Sequence, residues 1–240
     1  MAERAALVTG GSSGIGLAIA RALLDAGCAV TIASRRPEKL ARAAAELREG
    51  GGTVTEIAAD LATEQGVIDV VAGHREAHGR LDVLVNSAGL GIGGPIEDVQ
   101  AKHIDLQYAL NLKAIILFYR ESAPMLREAG AEHRKALVVN VSSITGKQGH
   151  EWLSAYSAIK HGVVGLTQAM NRELNDAGIK SCVLCPAYVD TELSDYKKSE
   201  IPAEEMITTE DVAGFVGYLV GLSKNCVIPE VMFERPGELV

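Results

Sequence analysis

The chain has 240 residues, 48% of them hydrophobic, and a formal net charge of −8. It is long enough to bury a sizeable core and too acidic for a nucleic-acid surface, which needs a basic stripe. Met1-Ala2-Glu3-Arg4 leads into Ala5-Ala6-Leu7-Val8 and then glycines, too short for a signal-peptide core, and no apolar run approaches the ~20 residues of a membrane span, so a cytoplasmic protein is expected.

Apolar runs bounded by turn residues are expected as strands at Ala5 to Val8, Cys28 to Ala33, Thr53 to Ala58, Leu81 to Val85, Ala136 to Val141, Ile179 to Leu184 and Val231 to Phe233. Helical periodicity fills the gaps, for example Pro37 to Glu49, with proline in the first turn and glycines after the end. Alternating strands and helices imply parallel pairing in a sheet covered on both faces. The expectation is an α/β doubly wound sandwich, a single domain over 1–240 with a mostly parallel sheet of about seven strands. Cys182 and Cys185 form a C-x-x-C on a predicted strand, where odd separation sends the two sulfurs to opposite faces; no redox pair and no metal site are expected.

Ligands of such sheets bind outside the carboxyl ends of the strands. After the first strand comes Thr9-Gly10-Gly11-Ser12-Ser13-Gly14-Ile15-Gly16, opening a helix. Gly10, Gly14 and Gly16 suit a tight turn and close approach of backbone to a pyrophosphate, with Ser12, Ser13 and Ile15 beside it and the positive end of the helix behind. The second strand ends Ser34-Arg35-Arg36. An acidic residue there would bond a ribose 2′-hydroxyl and repel a 2′-phosphate; Ser34 cannot repel, and Arg35 can pair with the phosphate. NADP(H) is therefore favoured, with NAD(H) as the alternative and Arg36 as a second candidate. Asp60, with Leu61 beside it, is placed to accept from an adenine amino group or to cap the helix starting near Thr63. Asn86-Ser87-Ala88-Gly89 would bring small residues, Ala88 and Gly89, beside the cofactor.

Tyr156 and Lys160 stand four apart on a predicted helix and share a face, with Ser143 a short loop upstream. A fixed ammonium favours the phenolate and is expected to lower the tyrosine pKa from about 10 by roughly 1 to 3 units, so that Tyr156 can exchange a proton near neutrality.

Together these segments resemble the short-chain dehydrogenase/reductase family over nearly the whole chain, and imply its Rossmann-type fold. Thr9 to Gly16 matches the T-G-x-x-x-G-x-G motif, and Asn86 to Gly89 matches N-N-A-G with Ser87 in place of the second asparagine. Asn111, Ser143, Tyr156 and Lys160 match the catalytic tetrad, and Pro186-Ala187-Tyr188-Val189-Asp190-Thr191 is similar to P-G-x-V-x-T with Ala187 in place of glycine. The resemblance implies hydride transfer between nicotinamide C4 and a carbonyl carbon. Tyr156 would give the proton, Ser143 a hydrogen bond to the same oxygen, Lys160 a contact to the nicotinamide ribose, and Asn111 a fixed water behind Lys160. Pro186, Val189 and Thr191 would meet the nicotinamide end. Ser142 rivals Ser143 for the serine role, and the two are expected to face opposite ways.

The small-molecule carbonyl or alcohol substrate is expected to be enclosed by Leu90 and Ile92, by the loop from 144 to 153 with His150 and Trp152, by Tyr188, and by a lid from Glu192 to about Met206. That lid carries five acidic and two basic residues, which disfavours a strongly anionic substrate. Arg134 and Arg172 are the nearest candidates for docking an acidic carrier protein, a sparse set. The apolar Ala114 to Phe118, with Val163, Val164 and Leu166, exceeds one core-facing stripe and points to a homotetramer, or else a homodimer. The competing expectation is a catalytically silent NADP(H)-sensing protein on the same fold.

Overall fold

Strand β2, Cys28–Ser34, is buried at every position, and so is β6, Ile179–Pro186, as parallel strands with helices on both faces require. The structure, a computed structural model, describes residues 4–237; the Met1-Ala2-Glu3 start and residues 238–240 of the expected domain lie outside the described residues. The other strands are β1 (Arg4–Thr9), β3 (Val54–Ala58), β4 (Val83–Asn86), β5 (Ala136–Val141) and β7 (Glu230–Phe233). They pair in the order β3-β2-β1-β4-β5-β6-β7, parallel throughout. Strand order reverses at β1 and β4, so a crevice opens above their carboxyl ends.

Helices α1 (Gly14–Asp25), α2 (Pro37–Glu49) and α7 (Thr209–Gly221) cover one face through Ile19, Leu23, Leu40, Leu47 and Val216. Helices α3 (Glu64–His78), α5 (Ala114–His133) and α6 (Ser154–Leu174) cover the other through Val67, Val70, Ile115, Phe118 and Val163. Each such side chain contributes about 1.5 to 3 kcal/mol on burial. Cys182 belongs to the first cluster and Cys185 to the second, on opposite faces of β6 as expected. Helix α2 spans the predicted residues, with Pro37 at its start.

Local chemistry moves three boundaries. Strand β4 starts at Val83, two residues late, although the Asp82 backbone still bonds to Ala5 O and Leu137 N; the Asp82 carboxylate accepts from Ala5 N at 2.8 Å, from Arg80 at 2.7 and 2.8 Å, and from His133 Nε2 at 2.8 Å. Thr63, rather than Asp60, caps α3, its hydroxyl accepting from Gly66 N at 3.1 Å. Between α4 (Ala101–Tyr108) and α5 the chain forms a wide π turn over Ala109–Lys113, where the sequence predicts ordinary helix.

The excess of apolar residues at 114–118 and 163–166 is largely consumed within the chain. Ala114, Ile115, Leu117, Phe118, Val163 and Val164 are buried and Leu166 packs on the core, leaving Ile116 exposed; Ile104, Leu106 and Tyr108 on α4 are exposed as well. Among the described residues no helix is long and apolar enough to cross a membrane.

Candidate active site

Strand β5 ends at Val141, and the chain then turns Ser142 and Ser143 in opposite directions. The Ser142 hydroxyl donates to the Lys160 carbonyl at 2.9 Å and so fastens α6 to the sheet. Ser143 faces the cleft close enough to the Tyr156 phenol to favour its ionised form, and its hydroxyl accepts from Thr145 N at 3.2 Å. One turn further along α6, Lys160 Nζ donates to the Val141 carbonyl at 2.9 Å and lies 5.5 Å from the Tyr156 ring centroid. Ser143, Tyr156 and Lys160 thus share one wall of a cleft of about 400 Å³.

The expected lowering of the Tyr156 pKa does not arise from the protein's own groups. Burial pushes the phenol up to about 12, offset only in part by Ser143, and pushes the Lys160 ammonium down to about 8. Desolvation dominates both groups, and Nζ is drawn to the Val141 carbonyl.

Asn111 lies behind this wall, fully buried on the π turn. Its carboxamide donates to Leu90 O at 2.8 Å and accepts from Leu90 N at 3.0 Å. Its side chain clasps the backbone of the loop after β4. Leu90, expected at the substrate, is the residue clasped. A Cβ on Gly89 would stand 2.7 Å from Asn111 Oδ1 and 3.8 Å from Lys160 Nζ, so this glycine lets the loop run against both groups.

The opposite wall is the turn from Gly10 to Gly16. Gly10 has φ +69°, and a Cβ there would lie 2.9 Å from Ala88 N and Cα; a Cβ on Gly16 would lie 2.4 Å from Gly10 O. The expected close helix–strand packing is thus visible as missing atoms. Thr9 Oγ1 accepts from Ser87 N and Ala88 N at 3.0 and 3.1 Å, tying the loop after β4 to β1. Ser13, extended at the N-cap of α1, makes no side-chain cap, which leaves the first-turn N–H groups directed at the cleft. Ser13, Gly14, Ile15 and Gly16 line the cleft, as do Pro186, Val189 and Thr191 on the side of β6. Ala187 keeps an ordinary negative φ and donates its N–H to Phe233 O at 2.9 Å, so no glycine is needed there.

At the β2 tip the Ser34 hydroxyl is buried without a hydrogen-bond partner, and Arg35 is exposed. Arg36 lines the cleft, 3.6 Å from Glu192 of the facing segment, and Lys39 on the first turn of α2 is bonded to the same carboxylate. Sequence reasoning passed over Lys39 and placed Glu192 only as the start of the lid; the one signal for their meeting Arg36 at this site was the spacing of Arg36 and Lys39, three apart. Asp60 is exposed, its Oδ1 accepting from Ala62 N at 3.1 Å. Leu61, expected at the cofactor, buries its side chain in the core. Asn86 is also buried, donating to Asn140 Oδ1 at 2.8 Å while its own Oδ1 has no partner. Ser12, half-buried, belongs to the same turn without lining the cleft.

The expected substrate residues separate. Ile92 and Trp152 line a second cavity of about 140 Å³ between the loop after β4, α4 and the start of α6. Trp152 is 68% exposed with φ +67°, and its carbonyl accepts from Gly94 N at 2.8 Å. His150 is exposed and its Nδ1 meets Glu151 O at 2.9 Å, away from the cleft. Tyr188 lies close to Tyr196, which in turn lies close enough to Tyr156 to influence its phenol. Tyr196 and Leu193 are additional to the expected set; Leu193 lies near Tyr156 against Gly91 and lines the cleft. The lid cations are matched locally, Lys198 to Asp195 within the lid and to Asp190 just before it at 2.8 Å each, and Lys197 to Glu200 at 2.6 Å. Arg134 reaches the Asp176 carbonyl at 3.3 Å, beyond the start of β5 and therefore at the end of the sheet opposite the cleft.

The sequence model of the short chain dehydrogenase family matches residues 4–202. A putative ketoacyl reductase of the monensin polyketide synthase from Streptomyces virginiae is 35% identical, over 90% of this chain and 90% of its own. A variant of actinorhodin polyketide ketoreductase solved with NADPH superposes with TM-score 0.87 at 31% identity, covering 97% of each chain. A metagenomic short-chain oxidoreductase solved with NADP gives TM-score 0.83 at 32% identity, again over 97% of each chain. With a glycine turn after β1, a switch-point cleft above an all-parallel sheet and a family match over most of its length, this chain belongs to the short chain dehydrogenase family of oxidoreductases.

Proposed function

We propose that this protein is an NADPH-dependent carbonyl reductase, working in reverse as an alcohol dehydrogenase, on a small or acyl carbonyl of the 3-oxoacyl or hydroxy-acid kind. The observation that carries the reading is the convergence of Ser143, Tyr156 and Lys160 on one wall of a cleft whose other wall is the glycine turn. The residues fit a dinucleotide: Gly10 and Gly14 hold φ of +69° and +53°, and a turn without Cβ atoms at Gly10, Gly11, Gly14 and Gly16 leaves room for a diphosphate at the α1 N-terminus. The unpartnered Ser34 hydroxyl with Arg35 and Arg36 suits a 2′-phosphate. The relatives solved with NADP and NADPH agree with that preference.

The nicotinamide supplies the hydride. Tyr156 donates its proton to the carbonyl oxygen as charge grows there, and a phenol held as high as about 12 is fully protonated and ready to do so at neutral pH. Ser143 gives a second hydrogen bond to the same oxygen. Lys160, on the far side of the Tyr156 ring, supplies the positive charge that stabilises the phenolate left behind. Asn111 acts at one remove, by holding Leu90 and so the loop after β4.

Ketoacyl reductase relatives support an acyl carbonyl, and Leu193, Tyr188 and Tyr196 give the substrate side an apolar, aromatic character. Ile104, Leu106, Tyr108 and Ile116 are exposed large apolar residues on α4 and α5, which supports assembly with a second copy of the chain, in a homotetramer or homodimer. NADPH consumption with a panel of ketones, aldehydes and 3-oxoacyl thioesters, beside NADPH titration followed by Trp152 fluorescence, tests the reading. Binding without turnover across the panel would replace it with the NADP(H)-sensing alternative.

A further inference from the structure

Glu192 opens the segment that follows β6, and its carboxylate reaches across the cleft mouth to two cations at the start of α2. Arg36 Nη2 lies 3.6 Å from Glu192 Oε2, and Lys39 Nζ is hydrogen-bonded to Oε1. Both Arg36 and Glu192 line the nucleotide cleft. Just before Glu192, Thr191 packs its methyl against Gly14, so the segment touches the glycine turn and α2 together. Beside the two cations sits the buried, unpartnered Ser34 hydroxyl. Two cations, a spare hydroxyl donor and the positive end of a 13-residue helix make an anion site at the β2 tip. The anion that neutralises it here is the chain's own carboxylate.

We infer that Glu192 is a specificity-determining residue for the cofactor: it competes with the ribose 2′-phosphate for Arg36 and Lys39. The inference rests on the NADP(H) reading above. A phosphate monoester carries a charge of about −1.5 to −2 near neutrality and displaces a singly charged carboxylate from shared cations. Glu192 then loses both partners, and the segment it begins is released from α2. Of the lid's other ion pairs, Lys198 with Asp195 and Lys197 with Glu200 lie within the segment, while Lys198 with Asp190 and Glu205 with Arg235 tie it to the chain on either side. Cofactor occupancy and lid position are thereby linked through one side chain. The two cations also hold the Glu192 carboxyl below its ordinary range, in keeping with a carboxylate that stays charged throughout.

Calorimetric titration of the intact protein with 2′,5′-ADP and with 5′-AMP isolates the 2′-phosphate from the nicotinamide. In Glu192→Gln the affinity for 2′,5′-ADP should rise about 2- to 5-fold, the range of an exposed ion pair, while that for 5′-AMP stays unchanged. Lys39→Gln should weaken 2′,5′-ADP and abolish the gain when combined with Glu192→Gln. Unchanged 2′,5′-ADP affinity in Glu192→Gln, or an equal gain for both nucleotides, overturns the inference alone. A wild-type protein that does not distinguish the two nucleotides overturns the NADP(H) reading and the inference with it.

Discussion

The carboxamide of Asn111 closes on the backbone of Leu90 from both sides, donating to its carbonyl at 2.8 Å and accepting from its N–H at 3.0 Å. Twenty-one residues apart in sequence, the two are joined because the π turn at Ala109–Lys113 aims a fully buried side chain at the loop after β4. Asn111→Leu removes both bonds and leaves a buried N–H and C=O unpaired. The expected loss is about 2 to 4 kcal/mol of stability, measured by urea unfolding. Turnover should fall as well, since the loop loses its register against the cleft. A variant as stable as wild type would show that Leu90 finds other partners.

Tyr156→Phe deletes the proton donor and little else, for the ring stays buried against α6. Turnover should fall by a factor on the order of 10² to 10⁴, with NADPH binding nearly intact. Steady-state kinetics beside a fluorescence titration separates the two, and near-normal turnover would remove Tyr156 from its role.

Arg35 is exposed at the tip of β2, beside the orphaned Ser34 hydroxyl. Arg35→Ala should weaken NADPH far more than NADH. Equal losses for the two cofactors would contradict a 2′-phosphate at this tip.

His74 is fully buried, with Nδ1 2.8 Å from Thr31 Oγ1 and Nε2 2.9 Å from Arg80 O. Burial, with His78 beside it, holds its pKa down at about 4 against an ordinary 6.5. The unfolded chain therefore takes up a proton between pH 6.5 and 4 that the folded chain refuses, and stability falls as pH falls through that window, by about 3 kcal/mol in total. Asp82, held below its ordinary range by Arg80 and His133, adds loss in the same direction at more acidic pH. Urea midpoints measured from pH 7 to pH 4 should decline, and in His74→Gln the decline across 6.5 to 4 should flatten. An unaltered slope in that variant would assign the acid sensitivity elsewhere.

Trp152 occupies the left-handed region at φ +67° while leaving most of its ring in solvent. A bulky side chain in that region costs of order 1 to 3 kcal/mol. Trp152→Gly should therefore match or exceed wild-type stability by up to about 1 kcal/mol in urea unfolding, with the KM for carbonyl substrates little changed because the ring lines a separate cavity. Lost stability would make the ring a packing element.

Much of the fold was legible because local chemistry and tertiary demand coincide. Pro37 starts α2 where its missing N–H costs nothing, and seven apolar runs could only be strands between helices. Strand β4 was misjudged at Leu81 and Asp82 because an acid within an apolar run gives no sign of its partners, here Ala5, Arg80 and His133. Cofactor positions were readable where glycines mark them, and less so at Leu61, whose side chain turned into the core. Substrate residues were the hardest to read. Trp152 and Ile92 line a separate cavity, and Leu193 and Tyr196 come to the cleft from a segment without regular periodicity.

By itself the sequence determined the α/β layering, the glycine turn, and the Tyr156–Lys160 pair, since all three depend on spacing within a few residues: period, turn geometry and one helical turn. Only the tertiary structure decided what those groups experience. Lys160 spends its ammonium on Val141 and both it and Tyr156 are desolvated, so the phenol rises where spacing alone led one to expect it to fall. Asn111 meets Leu90, and Glu192 meets Arg36 and Lys39, across separations of 21, 156 and 153 residues. Such contacts depend on how the sheet stacks its strand ends, which no local pattern encodes.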